Sequence, residues 1–214
     1  MTPDIDGPAG RLEALLDDAP EATFAAVVCH PHPRFGGTMH THAAYRLAKA
    51  VRARGGAALR FNFRGVGRSA GTYAGGDGEA DDARAALRWL AEAKPGLPLL
   101  ACGFSFGAWM AVLAGADDPR VEGLLLAGLA LRAADLERFR DSGLVREVAK
   151  PVAIVQAESD AFGAPDEVRR AIEGSRGPRR LATVPRATHL FVEDLPALQR
   201  EAEAALDWLR GGAR

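Results

Sequence analysis

Residues 98–115 read PLLACGFSFGAWMAVLAG. The first seven form an apolar run of strand length, and the residues from Phe106 onward are mostly side chains that a helix accepts. Between them lies Gly103-Phe104-Ser105-Phe106-Gly107, a G-x-S-x-G pentapeptide. Small residues around a serine carry little weight alone. At a strand-to-helix junction they describe a sharp turn that holds a hydroxyl out over the end of a sheet. The glycines let neighbouring backbone pack close, and the strain of such a turn is of the kind stored at functional positions. The N–H of Phe106, at the helix start, points to where an oxyanion would form. A buried structural serine is the plainer alternative.

Working outward, apolar runs at 23–29 (TFAAVVC), 57–63 (AALRFNF), 121–128 (VEGLLLAG), 151–157 (PVAIVQA) and 180–184 (RLATV) read as further strands, with another at 11–16. Helical spacing of apolar residues falls between them, at 41–54, 79–94, 106–116, 165–173 and 196–210. This alternation predicts an α/β fold: a mostly parallel central sheet, helices on both faces, and ligands at the carboxyl ends of the strands. The acids at 79, 81 and 82 suit the positive end of a helix dipole. No linker or repeat divides the chain, so one domain over 1–214 is expected. Only 22 residues, 129–150, separate two of the strands, too few for a cap domain.

A serine hydroxyl needs a base to become nucleophilic, and an imidazole needs a carboxylate to fix its tautomer. The run PVAIVQA leads into Glu158-Ser159-Asp160, and RLATV leads into a loop carrying His189. Both loops fall at carboxyl ends of strands, the edge that holds Ser105. His189 is the one histidine downstream of that serine, so it is the expected base. Asp160 is the expected acid, with Glu158 its main competitor and Asp135 a third.

The other four histidines crowd into HPHPRFGGTMHTH, residues 30–42. Imidazoles at this density can bind zinc. Against that, no Asp, Glu or Cys accompanies them in the segment, Pro31 and Pro33 stiffen the first pair, and a hydrolytic centre is complete without a metal. The expectation is no metal and no cofactor. The loop instead follows a strand that can supply a second oxyanion donor. Proline has no N–H, which leaves the amides of His32, Arg34 and Phe35, with His32 favoured by position. His30, His40 and His42 are expected to hydrogen-bond locally.

The 27 basic and 28 acidic side chains give no electrostatic reason to expect nucleic acid or an anionic membrane as partner. No apolar run is long enough to span a bilayer, and the first residues show no secretory signal. Cys29 and Cys102 sit in apolar runs and read as buried reduced thiols, so a cytoplasmic location is expected.

Taken together, the sequence resembles the α/β-hydrolase superfamily. More narrowly it is similar to small, capless, dienelactone-hydrolase-like bacterial proteins with an HPHPxxGG loop. The resemblance is carried by that loop, by RFNFRGVGRSAGTY (60–73), by GFSFGAWMA, and by the QAESD and ATHLF loops, over roughly residues 10 to 210. It implies a triad of Ser105, Asp160 and His189 in that family's chain order, no cofactor, and hydrolysis of a small ester-like substrate. Two departures stand out. Dienelactone hydrolases use cysteine where this chain has Ser105. The acid loop reads DAFGAPDEV, with Phe162 and Gly163 where relatives tend to have aliphatic residues before a proline. Phe35, Phe162 and Phe191 are candidate pocket walls, whereas Phe104 and Trp109 read as core. A peptidase or thioesterase on the same triad, or a binding protein without catalysis, are the alternatives.

Overall fold

The computed structural model describes residues 2–133 and 136–211. Its strands are β1 (Asp4–Gly7), β2 (Gly10–Asp17), β3 (Phe24–Cys29), β4 (Gly56–Phe61), β5 (Leu99–Phe104), β6 (Val121–Ala127), β7 (Val152–Ala157) and β8 (Arg179–Val184). They form one sheet in the order β1-β2-β4-β3-β5-β6-β7-β8. β1 and β2 run antiparallel to their neighbours and the remaining strands are parallel. β3 to β6 are almost wholly buried because both faces are covered, which is why they read as unbroken apolar runs.

Successive residues serve opposite faces. From β3, Ala25, Val27 and Cys29 enter one core, while Phe24, Ala26 and Val28 enter the other. The second core is closed by α1 (His42–Ala53) and α7 (Leu195–Gly211), which bury Leu47, Val51, Leu198 and Leu206 at helical spacing. The first is closed by α2 (Asp77–Ala93) and α3 (Phe106–Gly115).

Three elements differ from the sequence reading. β1 was not anticipated; it is a short partner of β2 across the Pro8–Ala9 turn. The connection between β6 and β7 holds two short helices, α4 (Glu137–Asp141) and α5 (Leu144–Glu147). They form no cap, because Phe139 stacks on Trp109 and Val145 is buried, so both helices are drawn into the core flank. The remaining helix, α6 (Pro165–Ala171), follows β7. Finally, of the acids at 79, 81 and 82, Asp81 alone is solvated. Glu79 accepts the N–H groups of Ala74 and Gly76, and Asp82 is wholly buried against Arg64.

The chain leaves β3 toward β4 on one side, and β5 lies on the other. The carboxyl ends of β3 and β5 therefore flank the point where strand order reverses, and a crevice forms at such a point. No described helix is long and apolar enough to cross a membrane.

Candidate active site

Ser105 occupies the turn between β5 and α3 with φ 57° and ψ −117°, a conformation that costs a non-glycine residue energy. Packing holds it there. A Cβ on Gly103 would stand 2.0 Å from the Gly107 carbonyl oxygen, and one on Gly107 would stand 2.3 Å from that of Cys29. Only glycine at both positions lets α3 press this close to β5 and β3. The Ser105 N–H donates to Ala127 O, tying the turn to β6.

Three side chains far apart in sequence form a continuous line. Asp160 accepts from His189 Nδ1 at 2.8 Å and 2.9 Å through its two oxygens. A carboxylate cannot donate, so the imidazole proton lies on Nδ1 and Nε2 accepts from Ser105 Oγ–H at 2.9 Å. Asp160 and His189 are buried and Ser105 is half-buried. The competing acid, Glu158, is exposed and accepts the Arg186 N–H. Asp135 lies outside the described residues.

Two further groups hold Asp160. The Phe162 N–H donates to Oδ1 at 2.9 Å, and Gln156 Nε2 donates to Oδ2 at 2.9 Å. Gln156 is fully buried in β7, gives a second N–H to Gly163 O, and accepts from the Leu129 N–H. Sequence reading missed it. The signal was present: a polar side chain inside a buried strand must find partners.

In the histidine loop, the rings of His30 and His32 are both hydrogen-bonded. His30 is fully buried; its Nδ1–H donates to Pro31 O, and its Nε2 accepts the Phe63 N–H. Burial lowers its pKa to about 4, helped by the neighbouring His32 and opposed by the Pro31 bond. The ring is therefore neutral and joins the loops that follow β3 and β4. His40 and His42 are exposed, and among the described residues no side-chain hydrogen bond supports the local role expected of them. His32 Nδ1 accepts the Arg34 N–H, so its neutral ring carries the proton on Nε2 and shares it with Tyr73 Oη at 3.1 Å. That ring packs between Phe35, Tyr73 and Phe106. The Phe35 N–H donates to His32 O. Of the three amides considered as oxyanion donors, those of Arg34 and Phe35 are thus engaged within the loop. His32 lies against Phe106, the first residue of α3, where N–H groups have no intrahelical acceptor. Tyr73 belongs to the segment after β4, which the Arg64–Asp82 pair fastens to α2.

The three candidate walls separate. Phe35 is 82% exposed on the histidine loop, and Phe162 is 42% exposed with its ring 4.7 Å from that of His189. Phe191 is a correction: it is 0% exposed, packed on Phe104, and lines nothing. Its backbone adopts φ 56°, and its ring belongs to the core that α1 and α7 close. Phe104 and Trp109 are core, as their positions suggested. Both cysteines are free and buried, and burial raises their pKa values, that of Cys102 to about 12.

A family model described as serine aminopeptidase, S33, matches residues 24–142. The chain belongs to that family of α/β hydrolases. The match includes Ser105 but ends before Asp160 and His189. An α/β serine hydrolase homologue from Coxiella burnetii superposes on this hydrolase with TM-score 0.86 and 31% identity, covering 96% of this chain and 97% of the other. A lidless α/β serine hydrolase from Xanthomonas campestris gives 0.83 and 30%, covering 99% and 95%. An uncharacterised protein of Rickettsia prowazekii is 35% identical over 168 residues, 77% of this chain and 69% of its own length.

Proposed function

We propose that this hydrolase cleaves small esters through a serine acyl-enzyme, with Ser105 as nucleophile, His189 as general base and acid, and Asp160 orienting the imidazole. The observation that carries the reading is the unbroken hydrogen-bonded line from Asp160 through His189 to Ser105 Oγ. Oγ attacks the ester carbonyl while its proton passes to Nε2, and Asp160 stabilises the resulting imidazolium. The N–H groups of Phe106 and His32 receive the developing oxyanion, each such donor being worth about 10²- to 10³-fold in rate. Nε2–H then protonates the departing alcohol, and water completes the cycle by the same steps. The chain supplies every group this chemistry uses, so no metal or cofactor is invoked.

In the described part of the segment between β6 and β7, Phe139 of α4 stacks on Trp109 of α3, which supports an open site suited to short acyl groups. The test is Ser105→Ala. The wild type is expected to hydrolyse p-nitrophenyl acetate and to be labelled by a fluorophosphonate, and the variant to do neither. Retained labelling in the variant would refute the assignment. A panel of matched ester, thioester and aminoacyl amide substrates separates esterase from thioesterase and peptidase. A preference for long-chain acyl esters would contradict the open-site reading.

A further inference from the structure

The imidazole of His189 stands between two phenyl rings of opposite character. Phe104 lies 5.2 Å away, wholly buried in the core beneath it. Phe162 lies 4.7 Å away and leaves 42% of its surface in water. What matters about Phe162 is its place: an apolar ring that packs on the imidazole and still presents a face to whatever binds there.

The position of Phe162 is tightly specified. Its N–H donates to Asp160 Oδ1, and its carbonyl accepts the N–H groups of both Leu131 and Arg132. The next residue is a glycine whose Cβ would meet Leu129 O at 2.9 Å, so the chain turns there in close contact with the segment after β6. The ring is thus carried on backbone pinned at three points, one of them the carboxylate that orients the imidazole.

Which part of an ester meets this ring follows from the route of the proton. Nε2 takes the Ser105 proton as the Oγ–carbon bond forms. When the carbon–oxygen bond to the alcohol breaks, the same proton goes from Nε2 to the departing oxygen, and water later releases the acid. The alcohol oxygen must therefore come within hydrogen-bond reach of Nε2, and its substituent extends past the imidazole. The oxyanion donors lie on the opposite side of Ser105, toward β3, where Phe35 borders the His32 ring at 4.8 Å.

We infer that Phe162 is the leaving-group selector of this enzyme, and that the preferred substrates are esters whose alcohol portion is bulky and apolar. This deepens the esterase reading and rests on it. The ring offers a flat apolar ledge, so an aromatic alcohol can stack or meet it edge-on. Discrimination of this kind is expected to be roughly tenfold, the scale of a modest hydrophobic contact made in the transition state.

The experiment compares kcat/KM for benzyl and ethyl acetate, whose alcohols differ little in acidity, in the wild type, Phe162→Ala and Phe162→Trp. The expected result is a benzyl-to-ethyl ratio of about ten in the wild type, a ratio near the uncatalysed one in Phe162→Ala, and a restored ratio in Phe162→Trp. Fluorophosphonate labelling of Ser105 is measured on the same samples. Labelled wild type with no benzyl preference, or a preference that survives Phe162→Ala, overturns the selector assignment and leaves the serine-hydrolase reading standing. Wild type that is neither labelled nor active overturns both.

Discussion

His30 and His189 are both buried imidazoles with both ring nitrogens engaged, yet they are built for opposite ends. The partners of His30 are main-chain groups, the Pro31 carbonyl and the Phe63 N–H, which have no charge to lend and no proton to trade. The partners of His189 are a carboxylate, which can balance an imidazolium, and a hydroxyl, which can give its proton up. An imidazole between two backbone groups is a strut. Between an acid and an alcohol it is a proton carrier. Four of the chain's five histidines crowd residues 30–42, but the partner chemistry singles out the distant fifth.

The sharpest way to break this contrast is to take the charge away from His189's partner while keeping its shape. Asp160→Asn presents an amide that favours the wrong imidazole tautomer, and kcat for ester hydrolysis is expected to fall by about 10⁴-fold. A loss of less than tenfold would mean that some other group orients the ring. Gln156→Leu is the gentler version. It removes one donor from Asp160 Oδ2 and leaves the Leu129 N–H and the Gly163 carbonyl without their side-chain partner. Loss of alignment is expected to lower kcat by one to two orders of magnitude, with a stability cost of about 1–3 kcal/mol for the stranded polar groups. Kinetics and urea unfolding on the same preparation separate the two effects. An unchanged kcat would confine Gln156 to a role in folding.

Most of the sheet was legible because its strands are buried on both faces and show as continuous apolar runs. β1 was not, since DIDG is polar, four residues long and paired only with β2. The helices α4 and α5 were missed because five and four residues are too few to display a helical period. In the site, Ser105, Asp160 and His189 could be placed because each lies on the loop or turn after a strand, and position in a parallel sheet is position at its carboxyl edge. Side-chain direction was the failure. Phe191 was read as a possible pocket wall, but its ring is buried in the core on Phe104. The role of Asp82 was hidden for a similar reason. Its partner Arg64 belongs to the loop after β4, and only the fold brings the two together.

The smallest effect tests the strut. With its pKa lowered to about 4, folded His30 stays neutral at pH values where an unfolded histidine, titrating near 6.5, takes up a proton. Protonation in the fold would aim a second N–H at that of Phe63. Between pH 6.5 and about 4 the unfolded chain therefore binds more protons at this position than the folded one. The stability His30 contributes is fully present above pH 6.5 and declines as pH falls through that window. His30→Gln removes this linkage while every other titrating group is common to both proteins. The variant is expected to be less stable at pH 7, and the gap between variant and wild type in urea unfolding free energy to narrow by about 2 kcal/mol on going to pH 5. A gap that stays constant over that range would mean that His30 accepts a proton inside the fold, and the contrast with His189 would lose its footing.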